Sequence, residues 1–193
     1  MPRGIAHDHS QKRAAIRKGA ASYFAANGYD RASMTGAAVH CGVSKALIYH
    51  YYGSKDALLY DILHTHLSDL VETVNAVPDG DDRLHHLICA ILLAYRDADA
   101  EHKLQADAMQ ALPVNKREPL MALQRRLIQV MGDALLAASP ETLSDPARLR
   151  PVTMTVFGML NWFYMWHRPN KGISREDYAD LVTEMVLGGI KGL

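Results

Sequence analysis

The sequence of 193 residues contains only two cysteines and no long uninterrupted apolar run. Cys41 and Cys89 are far apart and lie in helical patterns, so they predict reduced core residues of a cytoplasmic protein and no disulfide. Because no apolar run reaches about 18 residues, no transmembrane helix is predicted. The N-terminus lacks the apolar segment of a secretory signal, and strand-like alternation is almost absent.

Catalytic and phosphate-binding motifs are also missing. The sequence has no Gly-x-Ser-x-Gly elbow, no glycine-rich phosphate loop and no His-Glu-x-x-His zinc motif. Ten histidines are present, but close pairs such as His64 and His66 point to different sides of a helix. The sequence therefore predicts no enzymatic activity, no cofactor and no metal site.

Residues 33–58 predict two short helices joined by a tight turn, followed by the start of a third helix. Thr35 is the expected N-cap of the first helix, although Gly36 beside it costs up to ~1 kcal/mol relative to alanine. Gly42 ends that helix, and Ser44 caps the next one. Two helices joined in this way form a helix-turn-helix, whose second helix enters the DNA major groove.

Charge is distributed unevenly although the formal net charge is zero. Residues 1–56 contain eight basic and three acidic side chains, a balance of +5, and the remainder contains thirteen basic and eighteen acidic ones, a balance of −5. A basic segment on an acidic body fits a polyanionic partner for the basic segment alone.

The segment GVSKALIYHYYGSKDALL resembles the TetR-like (TetR/AcrR) family of bacterial transcriptional repressors. It carries a Gly-Val-Ser turn and then Tyr49, Tyr52 and Lys55 in the family's Tyr-x-x-aromatic-x-x-Lys pattern. The resemblance implies an all-α fold of about nine helices. Residues 1–55 would form a three-helix DNA-binding head, and residues 56–193 a six-helix body for ligand binding and dimerisation.

The same resemblance implies a set of DNA-binding residues. Positions that commonly contact the DNA backbone in this family correspond to Thr35, Tyr49, Tyr51 and Lys55. Positions that face base edges correspond to Lys45, Ala46 and His50. Ser44 and Leu47 complete the predicted DNA-binding set.

Apolar spacing predicts helices over 10–27, 54–76, 82–97, 99–111, 116–138, 145–167 and 174–190, besides the two short helices. Residues 1–9 are expected to form a disordered arm. Pro151 is expected to bend or restart its helix, and residues 169–172 are expected to form a turn.

The last two helices carry more apolar residues than one core would need. A single helix-turn-helix reads too short a site for useful specificity, and the family pairs its last two helices into a four-helix bundle between subunits. The expected homodimer contacts are Val152, Val156, Met159, Leu160, Tyr178, Leu181, Val182, Met185 and Val186.

Aromatic residues are concentrated at 161–167, which holds both tryptophans of the chain. Pockets are mostly apolar with a few orienting polar groups, and methionine side chains adapt to irregular surfaces. The predicted ligand-binding residues are Met109, Met121, Met131, Asn161, Trp162, Phe163, Trp166 and Arg168. The alternative is that these aromatics serve only the core or a dimer contact.

Residues 158–169 and the following Gly-Ile-Ser-Arg-Glu-Asp-Tyr also resemble a branch of the family that responds to acyl-CoA thioesters. The resemblance therefore implies a repressor that a small molecule, an acyl-CoA or aromatic acyl-CoA thioester, releases from a palindromic operator. Three alternatives stay open: a multidrug-type sensor, an enzyme or carrier that uses the aromatic cavity, and a non-specific DNA-binding protein.

Overall fold

The structure, a computed structural model, describes residues 3–168 and 171–193. Within those residues the chain is helical, with one isolated bridge between Arg168 and Lys171 and no β-strand. The helices are α1 (Arg3–Asn27), α2 (Met34–His40), α3 (Lys45–Tyr51), α4 (Lys55–Asn75), α5 (Arg83–Ala94), α6 (Asp99–Ala108), α7 (Val114–Ala138), α8 (Pro140–Leu143), α9 (Pro146–Trp166) and α10 (Arg175–Ile190). A 3₁₀ turn, Met109–Ala111, follows α6. The all-α prediction is confirmed.

Three details differ from the sequence-based prediction. Helix α1 begins at Arg3, so the prediction of a disordered arm is wrong for the described residues of 1–9. The expected break after α7 contains the extra single-turn helix α8, because Pro140 suits the first turn of a helix. Pro151 lies within the continuous helix α9 and does not restart it. The predicted turn at 169–172 lies partly outside the described residues.

The first of two compact units comprises the residues up to His66 together with Ala98–Leu120. In it α1 packs against both α2 and α6, and α2 packs against α3. Its core includes Ile16, Phe24 and Ile48, which are at most 1% exposed. This unit thus contains the whole predicted helix-turn-helix and the helix that braces it.

The second unit comprises Leu67–Asp97 and Met121–Leu193. Helix α5 lies against α10, and α9 contacts α5, α8 and α10. Arg175 connects these helices, since its guanidinium donates to the Leu92 carbonyl at 3.1 Å and lies 4.9 Å from the centre of the Phe163 ring. None of the described helices is long and apolar enough to cross a membrane.

A group of polar side chains is buried in the first unit. Glu101 and His102 of α6 are 8% and 5% exposed, and His66 of α4 is 7% exposed. The Lys18 ammonium of α1 lies 3.1 Å from the Glu101 carboxylate, and the His66 and His102 rings are 6.2 Å apart. Burial, followed by the nearby positive charges of His102 and Lys18, lowers the pKa of His66 to about 4.

This pKa shift predicts that acid destabilises the protein. Folding lowers the pKa of His66 from its ordinary value of 6.5, so the folded state favours the neutral imidazole. The stability that the neutral His66 imidazole contributes is complete above about pH 6.5. It is lost progressively as the pH falls towards the pKa of His66 in the folded state. We expect His66→Leu to reduce the difference in unfolding free energy between about pH 6.5 and about pH 4 by roughly 1–3 kcal/mol. Urea unfolding at both pH values measures this difference.

His86 supplies the matched control because its side chain is exposed. His86→Gln should keep the pH dependence of the wild type. If His66→Leu also kept it in full, the buried imidazole would not be the source of the acid sensitivity.

Candidate DNA-binding surface

Helix α2 has its N-cap two residues earlier than the sequence predicted. The N-cap is Ser33, whose hydroxyl accepts a hydrogen bond from the Gly36 amide at 3.0 Å. Thr35 is therefore not the cap but an exposed residue inside the first turn of the helix. Ser33 takes this role because a helix starting at Met34 buries Met34, Ala37 and Ala38 on one face.

The close approach of α1 accounts for Gly36. A methyl group at this position would overlap the Tyr23 hydroxyl and ring. The cost of glycine in a helix is therefore offset by the packing of Tyr23 against the α2 backbone. In the same way, a methyl group at Gly19 would come within 2.7 Å of the Cys41 sulfur.

The turn between α2 and α3 has the geometry that its sequence predicts. Gly42 has a φ of 66°, a value that glycine adopts at little cost. The amides of Gly42 and Val43 donate to the carbonyls of Val39 and Ala38 at 3.1 and 3.0 Å. The Ser44 hydroxyl then accepts from the Leu47 amide at 3.1 Å, which confirms Ser44 as the cap of α3.

Helix α3 has one buried side and one exposed side. Ile48 is fully buried, whereas Lys45, Ala46, Tyr49 and His50 are exposed. The Lys45 ammonium lies 5.9 Å from the centre of the Tyr49 ring, within cation–π range. The exposed side thus carries a cation, an imidazole and a phenol, which are groups that hydrogen-bond to phosphates or base edges.

Tyr52 holds the end of α3 against the neighbouring helices. Its hydroxyl donates to the Asp61 carboxylate of α4 at 2.7 Å, and the same carboxylate pairs with Arg13 of α1 at 2.7 Å. Burial and the hydrogen bond to Asp61 raise the pKa of Tyr52 to about 12. The neutral phenol therefore remains a donor across the physiological pH range.

Lys55 supports the fold of the head instead of extending into solvent. Its ammonium donates to the carbonyls of Tyr29 and Ala32 at 2.9 and 3.1 Å, with a longer contact to Asp30 at 3.4 Å. It also lies 4.3 Å from the centre of the Tyr29 ring. The Tyr29 hydroxyl in turn donates to the Asp56 carboxylate at 2.6 Å. Lys55 thus fixes the loop after α1 to the start of α4.

The predicted DNA-binding residues therefore fall into two groups. Six of them are exposed, namely Thr35, Ser44, Lys45, Ala46, Tyr49 and His50. Leu47, Tyr51 and Lys55 are half-buried. Sequence reasoning missed the Lys55 carbonyl contacts because they depend on a loop more than twenty residues earlier in the chain.

Most of the predicted ligand-binding residues lie in the second unit, and they differ in exposure. Phe163 and Met131 are 1% exposed, whereas Trp162 is 63% exposed. Trp166 is 48% exposed, with its ring 4.9 Å from that of Phe163. Met121 is half-buried and Arg168 is exposed. Met109 is buried in the first unit.

A polar pair within the second unit was not predicted. The hydroxyl of Tyr95, a residue that is 7% exposed, donates to the Asn161 side-chain carbonyl at 2.9 Å. Burial raises the pKa of Tyr95 well above its usual range. The pair joins the end of α5 to α9. The sequence shows Tyr95 only as part of an apolar stripe, so its partner could not be recognised.

The predicted dimer residues divide in a similar way. Four of them are buried within the chain, namely Val156, Leu160, Val182 and Val186. Val152, Met159 and Tyr178 are half-buried, and Leu181 and Met185 are exposed. An apolar groove of about 370 Å³ runs between α9 and α10 and is lined by Val152, Thr155, Val156, Met159, Met185, Val186, Gly189, Ile190 and Leu193.

Comparison with known proteins matches both parts of the chain to family models. Residues 16–62 match the model described as bacterial regulatory proteins, tetR family. Residues 78–190, more than half of the chain, match the model described as tetracyclin repressor-like, C-terminal domain.

Solved structures are similar over nearly the whole chain. A TetR-family transcriptional regulator from Bordetella parapertussis is 32% identical, with a TM-score of 0.86 over 94% of this chain and 96% of that one. AibR, solved with isovaleryl coenzyme A and operator DNA, is 24% identical, with a TM-score of 0.77 over 90% of this chain and 97% of that one. The latter likeness shows a shared fold.

A curated relative matches a shorter segment. The HTH-type transcriptional repressor AcnR of Corynebacterium jeikeium is 32% identical over 72 residues. The match spans 37% of this chain and 38% of that repressor.

The geometry predicts different effects for two lysines of this surface. Lys55→Met should lower the free energy of unfolding by about 1–3 kcal/mol, because three carbonyls lose a charged donor. Lys45→Met should leave stability nearly unchanged, because the Lys45 side chain is exposed. Urea unfolding of both variants tests this.

The effects of the two substitutions on DNA binding should be the reverse of their effects on stability. Lys45→Met should change sequence preference, with roughly 1–3 kcal/mol of discrimination at one base pair. Lys55→Met should retain the preference of the wild type at temperatures where it is folded. Equal stability of the two variants would contradict the structural role of Lys55.

Proposed function

Because this chain belongs to the TetR family of bacterial regulatory proteins, and so is a DNA-binding regulator of transcription, we propose that it acts as a homodimeric repressor released from its operator by a small molecule. In this proposal residues 1–55 read DNA, and residues 56–193 bind the effector and the second subunit. The exposed side of α3 is the observation that carries the DNA-binding part.

That side of α3 is suited to the major groove for two reasons. Lys45, Tyr49 and His50 are exposed on a helix whose opposite residue, Ile48, is fully buried. The basic balance of residues 1–56 favours association with phosphates. The test is selection of a duplex from a random pool with the full chain. Recovery of a palindromic sequence supports the proposal, and recovery of no preferred sequence contradicts it.

The proposed dimer uses the exposed apolar side of α9 and α10. Several large apolar side chains on these helices are between 42% and 63% exposed, namely Met154, Trp162, Met165, Trp166, Leu181 and Met185. Met154, Gly158 and Trp162 follow one another at four-residue spacing and therefore lie on one side of α9. A second copy covering this side would remove these groups from water, which is favourable at about 25 cal/mol per Å² of apolar surface.

A charge on this side should separate the subunits. We expect Trp162→Glu, and independently Met185→Glu, to convert a dimer at micromolar concentration into a monomer, because each places a carboxylate in an apolar contact. Analytical ultracentrifugation measures the change.

Val114→Glu is the matched control. Val114 is an apolar residue of α7 that is 66% exposed, and its replacement should leave the dimer intact. A wild type that is monomeric at micromolar concentration would overturn the dimer.

The proposed effector is an elongated, largely apolar acid carried as its coenzyme A thioester. AibR, which shares this fold, is solved with isovaleryl coenzyme A. In this chain the Tyr95–Asn161 hydrogen bond places two polar groups at the end of α5 and within α9. Arg168, exposed beyond the end of α9, has a planar guanidinium suited to a phosphate group. An effector that prefers the state without DNA would shift the equilibrium towards release.

Titration of the protein–duplex complex tests this effector class. We expect short and medium acyl-CoA thioesters to release DNA at micromolar concentration, whereas coenzyme A alone and the corresponding free acids do not. Asn161→Ala should weaken that response without changing DNA affinity in the absence of thioester. Fluorescence anisotropy of a labelled duplex reports both quantities.

The main competing function is a multidrug-type sensor, which the exposed aromatic and methionine residues also fit. Release of DNA by unrelated aromatic cations, with no response to any thioester, would favour that function and contradict the coenzyme A proposal.

A further inference from the structure

The beginning of α1 contacts the end of α3. The His9 ring lies 4.6 Å from the Tyr51 ring and 6.4 Å from the His50 ring. The Tyr51 hydroxyl donates to the His9 carbonyl at 3.5 Å. Residue 9 precedes the segment 16–62 that matches the family's DNA-binding model. Nothing in the motif therefore assigns this histidine a role.

His9 is held in place but remains accessible. Its side chain is exposed, as is that of His50. Tyr51, which is half-buried, fixes His9 through both its ring and its hydroxyl. Two imidazoles from different helices therefore lie 6.4 Å apart, with their planes nearly perpendicular, at the edge of the exposed side of α3.

We propose that His9 and His50 together bind one phosphate group of the DNA backbone, in place of the base-edge contact that the family resemblance implies for His50, so that operator binding takes up protons. The proposal rests on the DNA-binding function proposed above. Each protonated imidazole donates from both ring nitrogens, and a phosphate oxygen is a strong acceptor for such charge-assisted hydrogen bonds. A non-bridging phosphate oxygen can accept from each ring.

The surroundings of the pair favour an anion. Besides His50 and the Tyr51 phenol from α3, the α1 side chains one turn beyond His9 are Lys12 and Arg13, both exposed and basic. Among the side chains that the structure describes, the Asp61 carboxylate of α4 pairs with Arg13 at 2.7 Å and accepts from Tyr52. A phosphate at the imidazole pair would thus meet a basic surface.

The test measures affinity for a duplex selected from a random pool, at constant ionic strength, at about pH 8 and at about pH 6. Wild-type affinity should rise ~3–10-fold as the pH falls. His9→Gln should lose about half or more of that gain and lower the salt slope by about 1 at the acidic end only. His9→Lys should bind tightly at both ends, because its charge does not titrate there.

His86→Gln is the matched control, since His86 is exposed and lies on α5 in the second unit. It should retain the wild-type pH dependence, and circular dichroism should show all variants equally folded. Identical pH profiles and salt slopes for wild type and His9→Gln would overturn the phosphate site while leaving the regulator function intact. Failure of the wild type to bind any duplex would overturn both.

Discussion

Helix α3 has seven residues, which is too short for an isolated helix to persist in water. Its exposed side can present groups to DNA only if the rest of the unit holds its backbone. Three kinds of contact do so. Ser44 caps its first turn, Ile48 is fully buried, and Tyr52 just beyond its end is hydrogen-bonded to Asp61. The outward residues are then available for contacts with a partner.

The three residues of the family's Tyr-x-x-aromatic-x-x-Lys pattern have two different roles. Tyr49 is 44% exposed and faces outward, whereas Tyr52 is 3% exposed and anchors the helix. Lys55 binds the carbonyls at the end of the loop after α1. Of the three residues, Tyr49 thus presents its side chain to solvent. Tyr52 and Lys55 instead bond to α4 and to the loop after α1. A family motif can therefore include residues that support a site as well as residues of the site itself.

The helix-turn-helix could be predicted from sequence because the turn and cap residues that form it act on their neighbours in the chain. Gly42 and Ser44 act within three residues of themselves, and the apolar stripe of α4 follows helical spacing. The predicted cap at Thr35 was wrong because the burial of Met34 decides where α2 starts. The roles of Lys55 and Tyr95 could not be predicted, since their partners are distant in sequence. For α9 and α10 the sequence shows apolar stripes but not which residues are buried, so it does not distinguish buried Val156 from exposed Met185.

Site-specific photocrosslinking tests most directly whether the exposed side of α3 contacts DNA. A photoreactive benzoylphenylalanine would replace Tyr49 in one protein and Val114 of α7, as an exposed comparison site, in another. Crosslinks to a selected duplex are expected from position 49, and none are expected from position 114. Crosslinks from position 114, or none from position 49 in a protein that still binds the duplex, would contradict a DNA contact by that side of α3.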